Sequence, residues 1–124
     1  MSDLKKILII EDEPILLKVL KDKVRKSNFN VVFAVDGEDG LNMIKKELPD
    51  LVLLDLMLPK IAGETVLKEL KKNSKLNKIP VIVLSAKGDN ATIKNCVDNL
   101  GAVDFMIKSD FTMDEVIDKI NKYL

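Results

Sequence analysis

Residues 49–59 read P-D-L-V-L-L-D-L-M-L-P. The run Leu51–Leu54 is apolar without alternation, the pattern of a parallel strand covered on both faces rather than one with a wet side. Asp55 follows that run directly and precedes L-M-L-P, so it has no nearby helix to cap. An acid at the tip of a dry strand asks what it meets there.

Working outward, four further apolar runs occur: K-I-L-I-I (6–10), N-V-V-F-A-V (30–35), P-V-I-V-L (80–84) and V-D-F-M-I (103–107). Between and after them lie residues at helical spacing: Leu17, Leu20 and Val24; Leu41, Ile44 and Leu48; Val66, Leu67 and Leu70; Ile93, Cys96, Val97 and Leu100; and Met113, Val116, Ile117, Ile120 and Leu124. Pro14 suits a first helical turn, and Asp89 or Asn90 can cap the fourth helix. Strand then helix, five times over, predicts an α/β fold: a three-layer, doubly wound, five-stranded parallel sheet with right-handed crossovers. Asp50 is expected to serve only as a strand-entry residue.

The 124 residues fit one domain, 1–124, with no linker, low-complexity segment or second core. Hydrophobic residues make up 47% and charged residues 32%, and no apolar run reaches the ~18 residues of a membrane span. The N-terminal M-S-D-L-K-K has none of the features of a secretory signal, so a cytoplasmic location is expected. Twenty basic residues balance twenty acidic ones with the lysines scattered, which argues against direct nucleic-acid binding. There is no histidine, which removes imidazole as base, metal ligand or phosphoryl carrier. The single cysteine, Cys96, lies on an apolar helical face and is expected to be buried and inert.

In a parallel sheet of this kind the first polar residues after each strand converge on one crevice. Here they are Glu11, Asp12 and Glu13 after strand one, Asp55 after strand three, Ser85 after strand four and Lys108 after strand five. Two carboxylates ~4 Å apart repel by about 4 kcal/mol at an effective dielectric near 20, so the cluster needs a cation. Hard oxygen donors with open positions suit Mg²⁺. Acids, a hydroxyl and an ammonium around a metal fit phosphoryl transfer, with Asp55 as nucleophile. Taken singly, the acids could be a helix N-terminus, Ser85 a turn residue and Lys108 a solvated lysine. Strand two's end has no place in this scheme.

The segments I-L-I-I-E-D-E-P (7–14), P-D-L-V-L-L-D-L-M-L-P-K-I-A-G (49–63), I-P-V-I-V-L-S-A (79–86) and G-A-V-D-F-M-I-K (101–108) resemble the receiver domain of bacterial response regulators. The resemblance implies a flavodoxin-like strand order of 2-1-3-4-5. It implies phosphorylation of Asp55 by the phosphohistidine of a histidine kinase or histidine phosphotransfer protein. Glu11, Asp12, Asp55 and the backbone carbonyl of Met57 would hold Mg²⁺, and Ser85 and Lys108 would contact the phosphoryl group. Phe105 stands where the family has a switching aromatic, although a core role would also suit it. The implied output is protein binding through helix 4, strand 5 and helix 5, without small-molecule turnover. One departure is Ser109 where the family usually has a proline after a cis bond; cis costs about 2.5–4 kcal/mol before a non-proline, so trans is expected. Met57 and Lys87 flank the path of an attacking water. Gly63 would permit the turn into helix three, and Pro59 would stop strand three.

Two alternatives remain at this point. The chain could be the receiver part of a longer DNA-binding regulator. It could instead be a magnesium-dependent phosphatase using an aspartyl-phosphate, although such enzymes resemble D-x-D and Met57 occupies the second acid's place. Neither G-x-G-x-x-G nor G-x-x-x-x-G-K-[ST] occurs, which removes the common nucleotide-binding folds.

Overall fold

The strand that carries Asp55, β3 (Leu51–Asp55), lies at the centre of a five-stranded parallel sheet of order β2-β1-β3-β4-β5. The structure is a computed structural model that describes residues 3–86 and 88–124. The other strands are β1 (Lys6–Ile10), β2 (Asn30–Ala34), β4 (Val81–Ser85) and β5 (Asp104–Ile107). The helices are α1 (Pro14–Lys26), α2 (Gly37–Glu47), α3 (Gly63–Lys72), α4 (Asn90–Lys94) and α5 (Met113–Tyr123).

Unbroken apolarity in the central strands follows from helices covering both faces. Leu8, Ile10, Val52, Leu54, Val81 and Val83 pack with Ile44 of α2, Val66, Leu67 and Leu70 of α3, and Cys96. The alternate residues Ile7, Ile9, Leu51, Leu53, Ile82 and Leu84 pack with Leu17, Leu20 and Val24 of α1 and with Val116 and Ile120 of α5. Each large side chain so buried contributes roughly 1.5–3 kcal/mol against conformational entropy. The central sheet is therefore a rigid base for whatever its ends carry.

Local signals set the elements. Pro14 opens α1 after Glu13, where its missing N–H costs nothing. Asp89 caps α4 by accepting the Thr92 N–H at 3.1 Å. Asp50 accepts the Lys6 N–H at 2.7 Å and ties the entry of β3 to β1. Thr112 and Glu115 form a reciprocal capping box at the start of α5.

Several boundaries differ from expectation, β4 (Val81–Ser85) and β5 (Asp104–Ile107) by a single residue. β2 stops at Ala34, one residue early. β3 ends at Asp55 and so needs no proline to stop it: the chain turns when the Met57 N–H folds back onto Asp55 Oδ1 at 3.1 Å. Pro59 lies in the loop beyond. The fourth helix is a short α4 that widens into a π turn over Asn95–Asn99, with the Leu100 N–H reaching Asn95 O at 2.9 Å. Gly101, at φ +80°, then ends it.

No cis peptide occurs among the described residues, so the Lys108–Ser109 bond is trans as expected. Lys87 lies outside the described residues. Among those described, no helix is long and apolar enough to cross a membrane.

Candidate functional site

Register decides which strand ends meet. Ile10 pairs with Leu54, Asp55 with Leu84, and Ser85 with Ile107. Glu11, Asp55, Ser85 and Lys108 therefore line the same carboxyl edge of the sheet.

Asp55 is 2% exposed. Its Oδ1 accepts the Met57 N–H at 3.1 Å, and its Oδ2 lies 3.2 Å from Lys108 Nζ. Glu11 is 1% exposed, and its Oε2 accepts the Glu13 N–H at 3.1 Å. Glu11 Oε1 stands 3.0 Å from Lys108 Nζ as an ion pair, yet this buried oxygen has no donor in hydrogen-bonding geometry among the described residues. Asp12 sits at the more open mouth, and one oxygen from each of Glu11, Asp12 and Asp55 can lie within 4.8 Å of the others.

Burial dominates the electrostatics. It pushes the Glu11 carboxyl up to about 7, against the opposing Glu13 N–H and Lys108. It also raises Asp55 above the ordinary aspartate range despite the Met57 N–H and the nearby ammonium. For Lys108 burial works downward, but Glu13, Glu11 and Asp55 outweigh it and hold the ammonium above the ordinary lysine value. One ammonium thus faces several acids, two of them nearly dry.

This donor set suits a hard divalent cation. It offers carboxylate oxygens only, it carries more negative charge than Lys108 offsets, and Glu11 Oε1 is a buried acceptor with unused capacity. The Met57 side chain is 59% exposed, whereas its backbone is held one bond from the acid cluster through its N–H on Asp55.

Ser85 closes β4 and is 1% exposed; its backbone carbonyl accepts the Lys108 N–H at 2.8 Å, which ties the lysine's backbone to the end of β4. Phe105 is half-buried on β5 opposite Val83, packed against the core on one side and lining a groove with Ile93, Phe111 and Lys119 on the other.

Two residues have partners that the pattern of strand-end chemistry did not assign. Glu13, counted only as part of an acidic run, reaches Lys108 Nζ at 2.9 Å. Asp36, the first polar residue after β2, is buried without joining the acids: it caps α2 through the Asp39 N–H at 2.8 Å and lies 3.6 Å from Lys60 Nζ. Glu13 is the extended N-cap of α1 and meets a lysine 95 residues away, which no local pattern signals, and nothing local distinguished Asp36 from an ordinary cap.

A doubly wound domain with an acidic, lysine-bridged cleft at the carboxyl ends of its strands is thereby defined. Residues 7–121 match the family model described as the response regulator receiver domain, and the chain belongs to that family. It is 38% identical to the alkaline phosphatase synthesis transcriptional regulatory protein PhoP of Bacillus subtilis, over 84% of this chain and 42% of PhoP. It is 30% identical to the polar-differentiation response regulator DivK of Brucella anthropi, over 97% of this chain and 96% of DivK. The receiver domain of the Francisella response regulator 1452 superposes with a TM-score of 0.88 at 28% identity, covering 96% of this chain and 95% of that one. The chain spans 39–51% of the length of the first curated relatives it matches. It is a signalling module of the two-component type, with the flavodoxin-like fold expected of it. The family model that matches is that of a signalling module, not of a phosphatase.

Proposed function

We propose that Asp55 is the phosphoacceptor of this receiver domain and that residues 1–124 act as one switchable unit. The observation that carries the proposal is the Lys108 ammonium held 3.2 Å from a buried Asp55 whose other oxygen is fixed by the Met57 N–H. An Asp55 oxygen attacks the phosphorus of a phosphohistidine on a histidine kinase or histidine phosphotransfer protein. The P–N bond breaks, its electron pair stays with the imidazole nitrogen, and a P–O bond forms on Asp55.

Glu11, Asp12, Asp55 and the Met57 carbonyl would hold Mg²⁺, which supplies charge neutralisation for the transferred oxygens. Lys108, already beside Asp55, stabilises a second phosphoryl oxygen, and the Ser85 hydroxyl donates to a third. Burial excludes competing solvent from the attacking carboxylate. Ser85 turning toward the phosphoryl group leaves space that Phe105, half-buried one strand away, can fill. That movement would alter the groove of Ile93, Phe105, Phe111 and Lys119, and so the α4–β5–α5 face offered to a downstream protein in the cytoplasm. The chain would not turn over small molecules.

Incubation with radiolabelled acetyl phosphate and Mg²⁺ tests the acceptor. Wild type should take up acid-stable, base-labile label, and Asp55→Asn should take up none; undiminished labelling of that variant would refute the assignment.

A further inference from the structure

We propose that Gly37, at the first turn of α2, is a positioning residue for the site at Asp55, acting through the loop that carries Met57. This inference rests on the function proposed above.

The loop between β3 and α3 is pinned at three places. At its start the Met57 N–H binds Asp55 Oδ1. At its end the Gly63 N–H donates to Leu56 O at 3.0 Å, and a Cβ on Gly63 would overlap the backbone of Asp55 and Leu56. Its middle is held from outside by the β2–α2 junction, about twenty residues earlier in the chain. There the Gly37 N–H donates to Pro59 O at 3.2 Å, and the same oxygen accepts the Ile61 N–H at 2.8 Å across a tight turn. Lys60 occupies that turn at φ +67°, a conformation costly for a residue with a Cβ. Its ammonium lies 3.6 Å from Asp36 Oδ2, on the carboxylate that caps the same helix.

Gly37 is what allows this approach. A Cβ there would overlap the Ile61 carbonyl, which is backbone and cannot rotate away. Any side chain at position 37 must therefore drive the Pro59–Ile61 turn outward. Met57 lies two residues from that turn, and its N–H binds Asp55 Oδ1. The end of β2, which sends nothing into the cleft, thus sets the depth of the loop from behind.

The test compares Gly37→Ala with Gly40→Ala. An added Cβ at Gly40 meets side-chain atoms of the core residue Ile10 rather than the backbone of the loop, so it controls for overpacking under the same helix. Mg²⁺ affinity is read by calorimetric titration, labelling by acetyl phosphate, and folding by circular dichroism. Gly37→Ala should weaken Mg²⁺ binding by about tenfold or more and slow labelling, as loss of an outer support does at metal sites. Gly40→Ala should keep wild-type affinity. A folded Gly37→Ala with wild-type affinity, or an equal loss in Gly40→Ala, overturns the proposal.

Should Gly37→Ala not fold, Mg²⁺ titration of the wild-type protein by NMR decides. The Gly37 amide resonance should shift with the same midpoint as that of Met57, and a stationary Gly37 resonance refutes the coupling. Wild type that is labelled, with Asp55→Asn silent and Gly37→Ala normal, removes this inference alone. Wild type that takes no label and no Mg²⁺ removes the underlying function as well.

Discussion

Lys108 Nζ stands 3.2 Å from Asp55 Oδ2, joining the ends of two strands that are not neighbours in the sheet, with β4 between them. The same ammonium lies 3.0 Å from Glu11 Oε1. It therefore neutralises the two buried acids that would also serve a divalent cation, and would compete with such a cation for them. Lys108→Met separates these roles. At pH 8.5, where the carboxyls are ionised, the variant should bind Mg²⁺ more tightly than wild type by calorimetry. Its labelling by acetyl phosphate should nonetheless fall on the order of 10²-fold, as when one preorganised donor is removed from a developing charge. Weaker Mg²⁺ binding together with unchanged labelling would contradict both roles.

Metal-free protein should grow more stable as the pH is lowered through about 7. Burial raises the folded-state value of Glu11 to about 7 from an ordinary 4.5, so between those values the folded state binds more protons than the unfolded one. The sign follows: the cost of an ionised Glu11 is fully present above pH 7 and is lifted as the pH falls toward 5. The gain is at most about 1.4 kcal/mol per pH unit for one proton taken up. Thermal melts in EDTA between pH 8 and 5.5 should show it, and saturating Mg²⁺ should abolish it by stabilising the ionised form. A melting temperature that falls over this range in EDTA would oppose the argument.

The parts of this architecture open to sequence reading were those set by local pattern and sheet geometry. Leu51–Leu54 could be placed in a doubly covered sheet because only burial on both faces tolerates an unalternating run. Glu11, Asp12, Asp55, Ser85 and Lys108 could be gathered because parallel strands put all their carboxyl ends on one edge. The π turn at Asn95–Asn99 was not legible, since Ile93, Cys96, Val97 and Leu100 fit one helical face whether the amides bond four or five residues back. Glu13's hold on Lys108 spans 95 residues, and no local pattern reports such a pair. Asp36 reads as a cap, which it is; its tie to Lys60 and the approach of Gly37 to the Pro59–Ile61 turn depend on how the β3–α3 loop crosses the start of α2.

Asp104 should matter more at neutral pH than in acid. Burial alone would raise its carboxyl, but the Lys119 ammonium at 2.8 Å, the Phe105 N–H and the Tyr123 hydroxyl at 2.9 Å hold it below the ordinary 3.8. Because its folded value is depressed, the stabilisation is complete above the unfolded value and is lost as pH falls through the folded one. Asp104→Asn should cost about 1 kcal/mol at pH 7, the scale of a net hydrogen bond at a partly exposed site. The difference from wild type should shrink as the pH falls below the ordinary 3.8 and through the depressed folded value. Urea titrations at pH 7 and pH 3 check this; an equal loss at both would assign the effect to packing rather than charge.

Cys96 should be silent toward thiol reagents while the fold is intact. It is fully buried beside Val66, Leu67 and Leu70 in the core beneath α3, and burial, with a smaller contribution from Glu64, pushes its thiol up to about 11. Reactivity requires thiolate and access together, and the native protein at pH 8 supplies neither. Reaction with a disulfide reagent such as dithionitrobenzoate should proceed only through opening of the domain, so its rate should rise with urea in step with unfolding and fall when Mg²⁺ stabilises the fold. Cys96→Ser would place a hydroxyl in that apolar setting and should destabilise by about 1–3 kcal/mol, whereas Cys96→Ala should cost less. Rapid, urea-independent modification of the native protein would show that the turn at Asn95–Asn99 opens on its own and that Cys96 is not part of the cooperative core.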